Sequence, residues 1–224
     1  MANRCYLYTL DINPSEKEKA DADFIDGICE WSSIVPISFK VLASANPEPC
    51  KSIIFENKLP RAILSNFEKG KDRLFDFLEK VIQIGVFDKK RLEQEINFTK
   101  EFFDEKERNP QYFLLEPGEI FELDNKSSDA VKTENLLKEL TDIDSTIALY
   151  LEHLNNQKIK MVRLEQKQKS LKTDLLLNSN DQVLKTTLAK TKKSLKNLNE
   201  ELWYDLAIDD WSDILYYDFS DDEE

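Results

Sequence analysis

Residues 133–177 read TENLLKELTDIDSTIALYLEHLNNQKIKMVRLEQKQKSLKTDLLL, the longest regular pattern in the chain. Positions spaced alternately four and three residues apart run through it, at Leu136, Leu140, Ile143, Ile147, Tyr150, Leu154, Gln157, Met161, Leu164, Gln168, Leu171 and Leu175. Ten of these twelve positions are apolar, which predicts the heptad seam of a coiled coil. We therefore predict one long helix over this stretch.

The pattern stops at residues 178–181, which read NSND, and then resumes. Its second part has seam positions at Leu184, Leu188, Thr191, Leu195, Leu198 and Leu202. A break this short favours an antiparallel helical hairpin over residues 133–204, with its turn near 178–181. At about 1.5 Å per residue, the first arm is about 65 Å long and the second about 35 Å.

The longer arm must therefore bury its proximal seam on something other than the second arm. The residues concerned are Leu136, Leu140, Ile143 and Ile147. Two covers are open at this point: the N-terminal part of the same chain, or a second copy of the chain. The second cover would make the protein a coiled-coil scaffold or assembly protein that associates through these four side chains.

Residues 1–125 predict a mixed α+β domain with short antiparallel strands. Cys5–Leu10 is rich in residues that favour strands and predicts the first one. Two hairpins are also expected, one joining Ser52–Phe55 to Ala62–Leu64 and one joining Tyr112–Leu115 to Glu119–Leu123 around Pro117-Gly118.

Two amphipathic helices complete the predicted N-terminal domain. One follows Gly70 and ends at Gly85, and the other covers Lys89–Lys106. A polar linker at 126–132 then leads into the hairpin, and residues 205–224 form a separate C-terminal segment. The fold class is therefore α+β, with a helical hairpin and an acidic, aromatic C-terminal segment.

Charge is sorted along the chain into blocks, and the net charge is −13. Residues 158–196 carry eleven Lys or Arg against three Asp or Glu, whereas residues 197–224 carry eleven carboxylates and no cation. The basic block is disfavoured as a nucleic-acid site, because it has no aromatic residue and a single arginine, Arg163. We interpret it as a solvated, lysine-rich helical surface.

The acidic end is the candidate binding site, because its carboxylates alternate with aromatic side chains. The candidate partner-binding residues are Trp203, Tyr204, Asp205, Asp209, Asp210, Trp211, Asp213, Tyr216 and Tyr217. Aromatic anchors framed by charge of one sign are typical of an interface that attracts a basic protein. The alternative is that Trp203, Leu206, Ile208, Trp211, Ile214 and Leu215 dock onto the N-terminal domain instead.

Catalytic chemistry finds little support in the sequence. The histidine, His153, and the three cysteines, Cys5, Cys29 and Cys50, lack the spacing of metal or catalytic sites. Glycine-rich phosphate loops and the GxSxG and HExxH motifs are missing from the sequence. We therefore expect no enzyme activity, catalytic residue, metal site or cofactor, and a cytoplasmic protein with reduced thiols and no membrane partner.

Several short motifs of the N-terminal part resemble one family. They are Met1–Tyr8 (MANRCYLY), Trp31–Pro36, Ser44–Pro47 with Cys50, Ser52–Ile54, Gly70 with Phe77-Leu78, and Leu114–Phe121. In these motifs the chain resembles uncharacterised bacterial proteins that begin MANR-x-YLY. The resemblance implies a bacterial, cytoplasmic protein, and it implies no reaction and no site residue.

These observations favour a non-enzymatic binding protein. The most concrete hypothesis is a cytoplasmic bacterial immunity protein that neutralises a basic, nuclease-like toxin through its acidic aromatic end. Such toxins carry a cationic substrate groove, and an acidic inhibitor would associate with it rapidly. Trp203, Trp211 and Tyr216 are the expected anchors.

Overall fold

The sheet organises the molecule in the computed structural model, which describes residues 3–55, 61–105, 109–123 and 126–217. Its strands are β1 (Arg4–Leu10), β2 (Ile25–Ser32), β3 (Glu48–Cys50), β4 (Ala62–Asn66) and β5 (Tyr112–Glu116). They lie in the order β2-β1-β5-β4-β3, and every neighbouring pair is antiparallel. The predicted α+β class is confirmed.

The helices cover one face of this sheet. They are α1 (Ile37–Leu42), α2 (Phe67–Ile84), α3 (Lys89–Asp104), α4 (Gly118–Phe121), α5 (Asp129–Thr141), α6 (Ile143–Leu177) and α7 (Gln182–Leu206). All seven contribute side chains to one buried cluster that also contains Cys5 and Leu7 of β1. The alternate β1 side chains, Tyr6, Tyr8 and Leu10, belong to a second cluster on the opposite face.

Strand β1 and helix α2 follow their sequence patterns closely. The predicted strand Cys5–Leu10 lies within β1. Helix α2 begins before Gly70, at Phe67, because the Asn66 side chain accepts a hydrogen bond from the Lys69 N–H at 3.0 Å. Gly85 ends it with φ +65°.

In each of the two predicted hairpins, one strand forms and the other does not. Ser52–Phe55 is not a strand, since the Ile53 N–H binds the Glu116 carboxylate at 2.7 Å and the Phe55 N–H binds the Ser52 hydroxyl at 2.8 Å. Side-chain oxygens thus accept hydrogen bonds from backbone N–H groups that would otherwise pair with a neighbouring strand. Cys50 and the two residues before it pair with β4 instead. Residues 119–123 do not form a strand either, because the chain turns into α4 directly after Pro117.

The predicted helix over 133–177 is divided at Asp142. That residue has φ −103° and ψ 45°, so α5 ends and α6 begins there with a change of direction. Helix α5 already starts at Asp129, inside the expected linker 126–132. The chain reverses between Leu177 and Gln182, where the Asp181 carboxylate accepts hydrogen bonds from the N–H groups of Val183 and Leu184.

The proximal seam is buried by the chain itself. Leu136, Leu140, Ile143 and Ile147 all lie in the cluster beneath the helices. The Tyr150 ring packs 5.8 Å from that of Phe77 in α2. Of the two covers left open by the sequence, the N-terminal part of the chain is the observed one, so these four side chains are not an exposed surface for self-association.

Candidate protein interface

The segment after α7 runs along the open edge of the sheet. It leaves the helix at Ala207, whose carbonyl accepts a hydrogen bond from the Ser38 hydroxyl at 2.9 Å. Beside the edge strand β2, the Ser212 N–H binds the Ile28 carbonyl at 2.8 Å and the Cys29 thiol donates to the Asp210 carbonyl at 3.1 Å. Edge strands expose unpaired backbone groups, and this segment covers part of the β2 edge and binds to it through these hydrogen bonds.

Leu215 carries the segment onto the sheet face opposite the helices. Its side chain is buried with Tyr6 and Tyr8 in the second cluster. Gly27 of β2 makes room for it, since a Cβ at this position would lie 2.7 Å from Leu215 Cγ. The Tyr217 carbonyl then accepts a hydrogen bond from the Tyr8 hydroxyl at 2.8 Å.

Trp203, near the end of α7, and Trp211, in the segment, point into the core, which corrects their predicted role as anchors. Trp203 is 5% exposed and Trp211 is 7% exposed. The Trp211 indole N–H donates to the Thr99 hydroxyl at 2.7 Å, and its ring packs among Phe39, Phe102 and Phe103. Large rings gain more from burial than any other side chain, and here the chain's own helices provide that burial.

Tyr217 is also structural. Its half-buried ring lies 5.3 Å from Tyr6 and 6.1 Å from Phe55, measured between ring centres. The alternative in which the apolar residues dock onto the N-terminal domain therefore describes most of the segment. Ile214 is the exception, because it is 80% exposed.

A set of outward-facing side chains remains, and we call it the C-terminal face. It consists of Tyr204, Asp210, Asp213, Ile214 and Tyr216, all of which are exposed. Ile214 and Tyr216 are the prominent members, with 80% and 59% of their surface exposed. Ile214 was not among the predicted partner-binding residues, because its apolar side chain predicted that it docks onto the N-terminal domain.

The backbone at Tyr216 is fixed by neighbouring strands. Its N–H donates to the Glu30 carboxylate at 2.8 Å, and Arg4 Nε lies 3.1 Å from the same carboxylate. The Arg4 guanidinium lies 5.7 Å from the centre of the Tyr216 ring. An exposed ring held in this way loses little conformational entropy on binding, which favours an anchoring role.

Two of the four predicted partner-binding carboxylates, Asp205 and Asp209, are half-buried. Asp209 is half-buried and pairs with Arg91 at 2.7 Å, and burial raises its pKa although Arg91 opposes the rise. The pKa of Asp205 is raised by burial and by the nearby charge of Glu201. Asp210 and Asp213, in contrast, are exposed. The structure thus brings two carboxylates to the C-terminal face and turns the other two partly inward.

A cleft of about 280 Å³ lies at the end of the C-terminal face, lined by Trp31, Arg91, Asn199, Glu200, Trp203, Tyr204 and Asp209. The Arg91 guanidinium lies 4.0 Å from the centre of a Trp203 ring. The ring of Tyr204 lies 5.2 Å from that of Trp31, and its hydroxyl donates to the Ser32 carbonyl. The cleft shows that this surface already accommodates a guanidinium between an aromatic ring and a carboxylate.

Catalytic groups are sparse in the described part of the chain. There, no three His, Cys, Asp or Glu side chains are grouped so that they could hold a metal ion. The three cysteines are buried, which raises the pKa of each thiol and disfavours the reactive thiolate. His153 is exposed on α6 and lies 3.1 Å from the Gln157 amide nitrogen.

Comparison with known proteins gives one match, to a family described as Domain of unknown function (DUF7822), over residues 11–157. The chain belongs to this family. The resemblance to a family without an assigned activity is thereby confirmed. The MANRCYLY motif lies outside the matched residues, so the match does not test it. No curated protein and no solved structure matches the chain.

The matched residues contain the sheet strands β2 to β5 but not β1, and they end inside α6. The basic distal part of the hairpin, α7 and the C-terminal face lie beyond them. Within the described residues, none of the helices has the combination of length and apolar character needed to cross a bilayer.

Proposed function

We propose that the protein is a non-enzymatic binding protein that recognises a basic protein through its C-terminal face. The observation that carries the proposal is the exposure of Ile214 and Tyr216, at 80% and 59%, in a segment whose Asp210 and Asp213 are also exposed. Large apolar side chains on a rigid backbone supply binding energy, and surrounding charges select the partner.

The charge of the chain supports a basic partner. Residues 197–224 carry eleven carboxylates and no cation, within a chain of net charge −13. A surface of this kind accelerates association with a cationic protein, and the acceleration falls as salt is added.

The specific form of the proposal is a cytoplasmic bacterial immunity protein that neutralises a basic, nuclease-like toxin. It is supported by the excess of carboxylates in residues 197–224, which suits a cationic toxin. In this form Ile214 and Tyr216 are the anchors, with Tyr204 beside them, and Trp203 and Trp211 hold the segment in place from below.

The test uses point variants, because removing the segment after α7 would also remove its core side chains Ile208 and Trp211. The double variant Ile214→Ser/Tyr216→Ala alters exposed side chains and leaves the core intact. Leu149→Ser is the matched control, since Leu149 is 68% exposed, lies on α6 and is not a residue of the C-terminal face. Wild type and both variants are used to capture partners from the source cells, and affinity for each candidate is then measured by calorimetry.

A cognate partner is basic, binds wild type and the Leu149→Ser control equally, and loses at least about 2 kcal/mol of affinity with the double variant. In the immunity form, the isolated partner is toxic to cells and wild type relieves that toxicity. A partner that the double variant binds as tightly as wild type would place the site elsewhere. A partner without toxicity would remove the immunity form and leave the binding function.

A further inference from the structure

The end of the helical hairpin carries three exposed aliphatic side chains that flank one turn. Leu176 is 84% exposed, Leu177 is 79% exposed and Val183 is 75% exposed. They lie on either side of the turn at residues 178–181, so the two helix ends bring them together. We call these three residues the hairpin tip.

The hairpin tip stands well away from the body. The Lys158 amine donates to the Ile84 carbonyl at the end of α2, at 2.6 Å, which marks where α6 leaves the underlying helices. From there to Leu177 the helix extends by about 28 Å. Helix α7 packs alongside this stretch and buries Leu171 and Thr191, but the tip residues beyond them remain exposed.

The parts of α6 and α7 that lead to the hairpin tip are strongly basic. Residues 158–196 hold eleven Lys or Arg and three Asp or Glu. In the last turns the cations are Lys169, Lys172 and Lys185, all exposed, and the carboxylates are Asp174 and Asp181. The three lysines thus outnumber the carboxylates by one at the tip, and the other cations lie farther back along the two helices. Two such hairpins repel each other, so a second copy of this chain is disfavoured as the cover for the tip.

Three kinds of anionic partner remain for the hairpin tip: an acidic protein, a single-stranded nucleic acid and a lipid bilayer. The side chains of the hairpin distinguish between them. Protein interfaces draw most of their energy from Trp, Tyr and Arg, and single-stranded nucleic acids are held by aromatic stacking. Residues 158–196 contain no aromatic residue and one arginine. Lysines beside exposed leucines instead match an anionic bilayer, where lysine meets headgroup charge without fixed geometry and leucine enters the interfacial layer.

We propose that the hairpin tip docks on an anionic lipid bilayer. Leu176, Leu177 and Val183 enter the interface between headgroups and acyl chains, and the lysines of the last turns bind the headgroup phosphates. The sequence alone predicted no membrane partner, because the hydropathy of the chain does not show that these aliphatic residues are left uncovered. This docking is independent of the proposed recognition of a basic protein, which uses the opposite end of α7.

The experiment measures co-sedimentation of the full chain with vesicles of phosphatidylcholine alone and with vesicles that also contain phosphatidylglycerol. Wild type is expected to bind the anionic vesicles and not the neutral ones, and binding should weaken as salt increases. The variant Leu176→Ser/Leu177→Ser/Val183→Ser should bind at least about tenfold more weakly, since burial of even one leucine contributes a factor of this size. Leu149→Ser should bind like wild type.

A second set of variants tests the charge contribution. Lys169→Gln/Lys172→Gln/Lys185→Gln should lose affinity for anionic vesicles, whereas Lys138→Gln, a change at a lysine whose side chain is 68% exposed on α5, should not. Circular dichroism checks that all variants keep the helical fold. Absence of vesicle binding by wild type, or equal binding by wild type and the tip variant, would overturn the proposal, as would binding to polyglutamate or RNA in place of vesicles.

Discussion

The buried carboxyl group of Glu116 provides the sharpest test of the structure. Glu116 ends β5 and is 0% exposed. Its Oε1 atom accepts a hydrogen bond from the Ile53 N–H at 2.7 Å, and Oε2 has no hydrogen-bond partner among the residues that the structure describes. Burial disfavours the charged form and raises the pKa of Glu116 from 4.5 to about 7, although hydrogen bonding by Ile53, Ser52 and Ile54 and the charge of Arg61 oppose the rise.

The raised pKa makes the folded state sensitive to pH. Below about pH 4.5 the carboxyl is neutral in both the folded and the unfolded chain, so it carries no penalty. Between that pH and about 7 the unfolded chain ionises first, and the folded chain loses stability as pH rises. Above pH 7 the full penalty is present, and the gap between the two pKa values corresponds to about 3 kcal/mol.

Glu116→Gln isolates this effect, because the amide is neutral at every pH and its oxygen can still accept from Ile53. We expect the variant to match wild type near pH 4.5 and to be more stable by about 3 kcal/mol at pH 8. Urea unfolding at a series of pH values gives the difference, in which the general charge effects of this acidic chain cancel. Glu79→Gln, on the exposed side of α2, is the control and should show no such trend.

A stability difference between Glu116→Gln and wild type that does not change with pH would refute this reasoning. A lower stability of the variant at pH 8 would do so as well. Either result would mean that the carboxylate is stabilised in the fold by partners other than those described above.

Three further substitutions test the core by urea unfolding. Gly70→Ala should destabilise by about 2 kcal/mol or more, because the added Cβ would lie 2.4 Å from the Leu42 carbonyl; an unchanged midpoint would mean that α1 and α2 pack differently. Trp211→Phe should cost about 1–3 kcal/mol by leaving the Thr99 hydroxyl without its indole donor, and a neutral result would contradict the inward orientation of Trp211. Leu140→Ala should cost about 2–5 kcal/mol in a monomer, whereas Leu149→Ala should cost little; equal effects would contradict the burial of the seam.

Much of the helical architecture was predictable because helices obey a local period. The heptad positions anticipated the hairpin and its reversal near 178–181, and Gly85 marked the end of α2. The break at Asp142 was not predictable, because the apolar spacing continues through it without interruption. The extent of the two domains and the linker stays a prediction, although the sheet and the hairpin share one buried cluster.

The candidate site shows the opposite balance. Composition indicated an acidic, aromatic binding segment, and the exposed positions of Tyr204, Asp210, Asp213 and Tyr216 agree with its use as a surface. The composition of the segment did not indicate that Trp203 and Trp211 turn inward while Ile214 turns outward. Residues 207–217 contain no helix or strand, so no repeating geometry relates neighbouring side chains to the core.

The amino-acid sequence by itself determined the class of the fold, the long helices and the segregation of charge, since these follow from local spacing and composition. The tertiary structure alone decided which side chains of the C-terminal segment face outward and which partner covers the proximal seam. Both depend on contacts between residues far apart in the chain, such as Ser212 with Ile28 and Tyr217 with Tyr8. Those contacts join the C-terminal segment to β2 and β1 near the start of the chain, and the local sequence at either end does not specify such pairings.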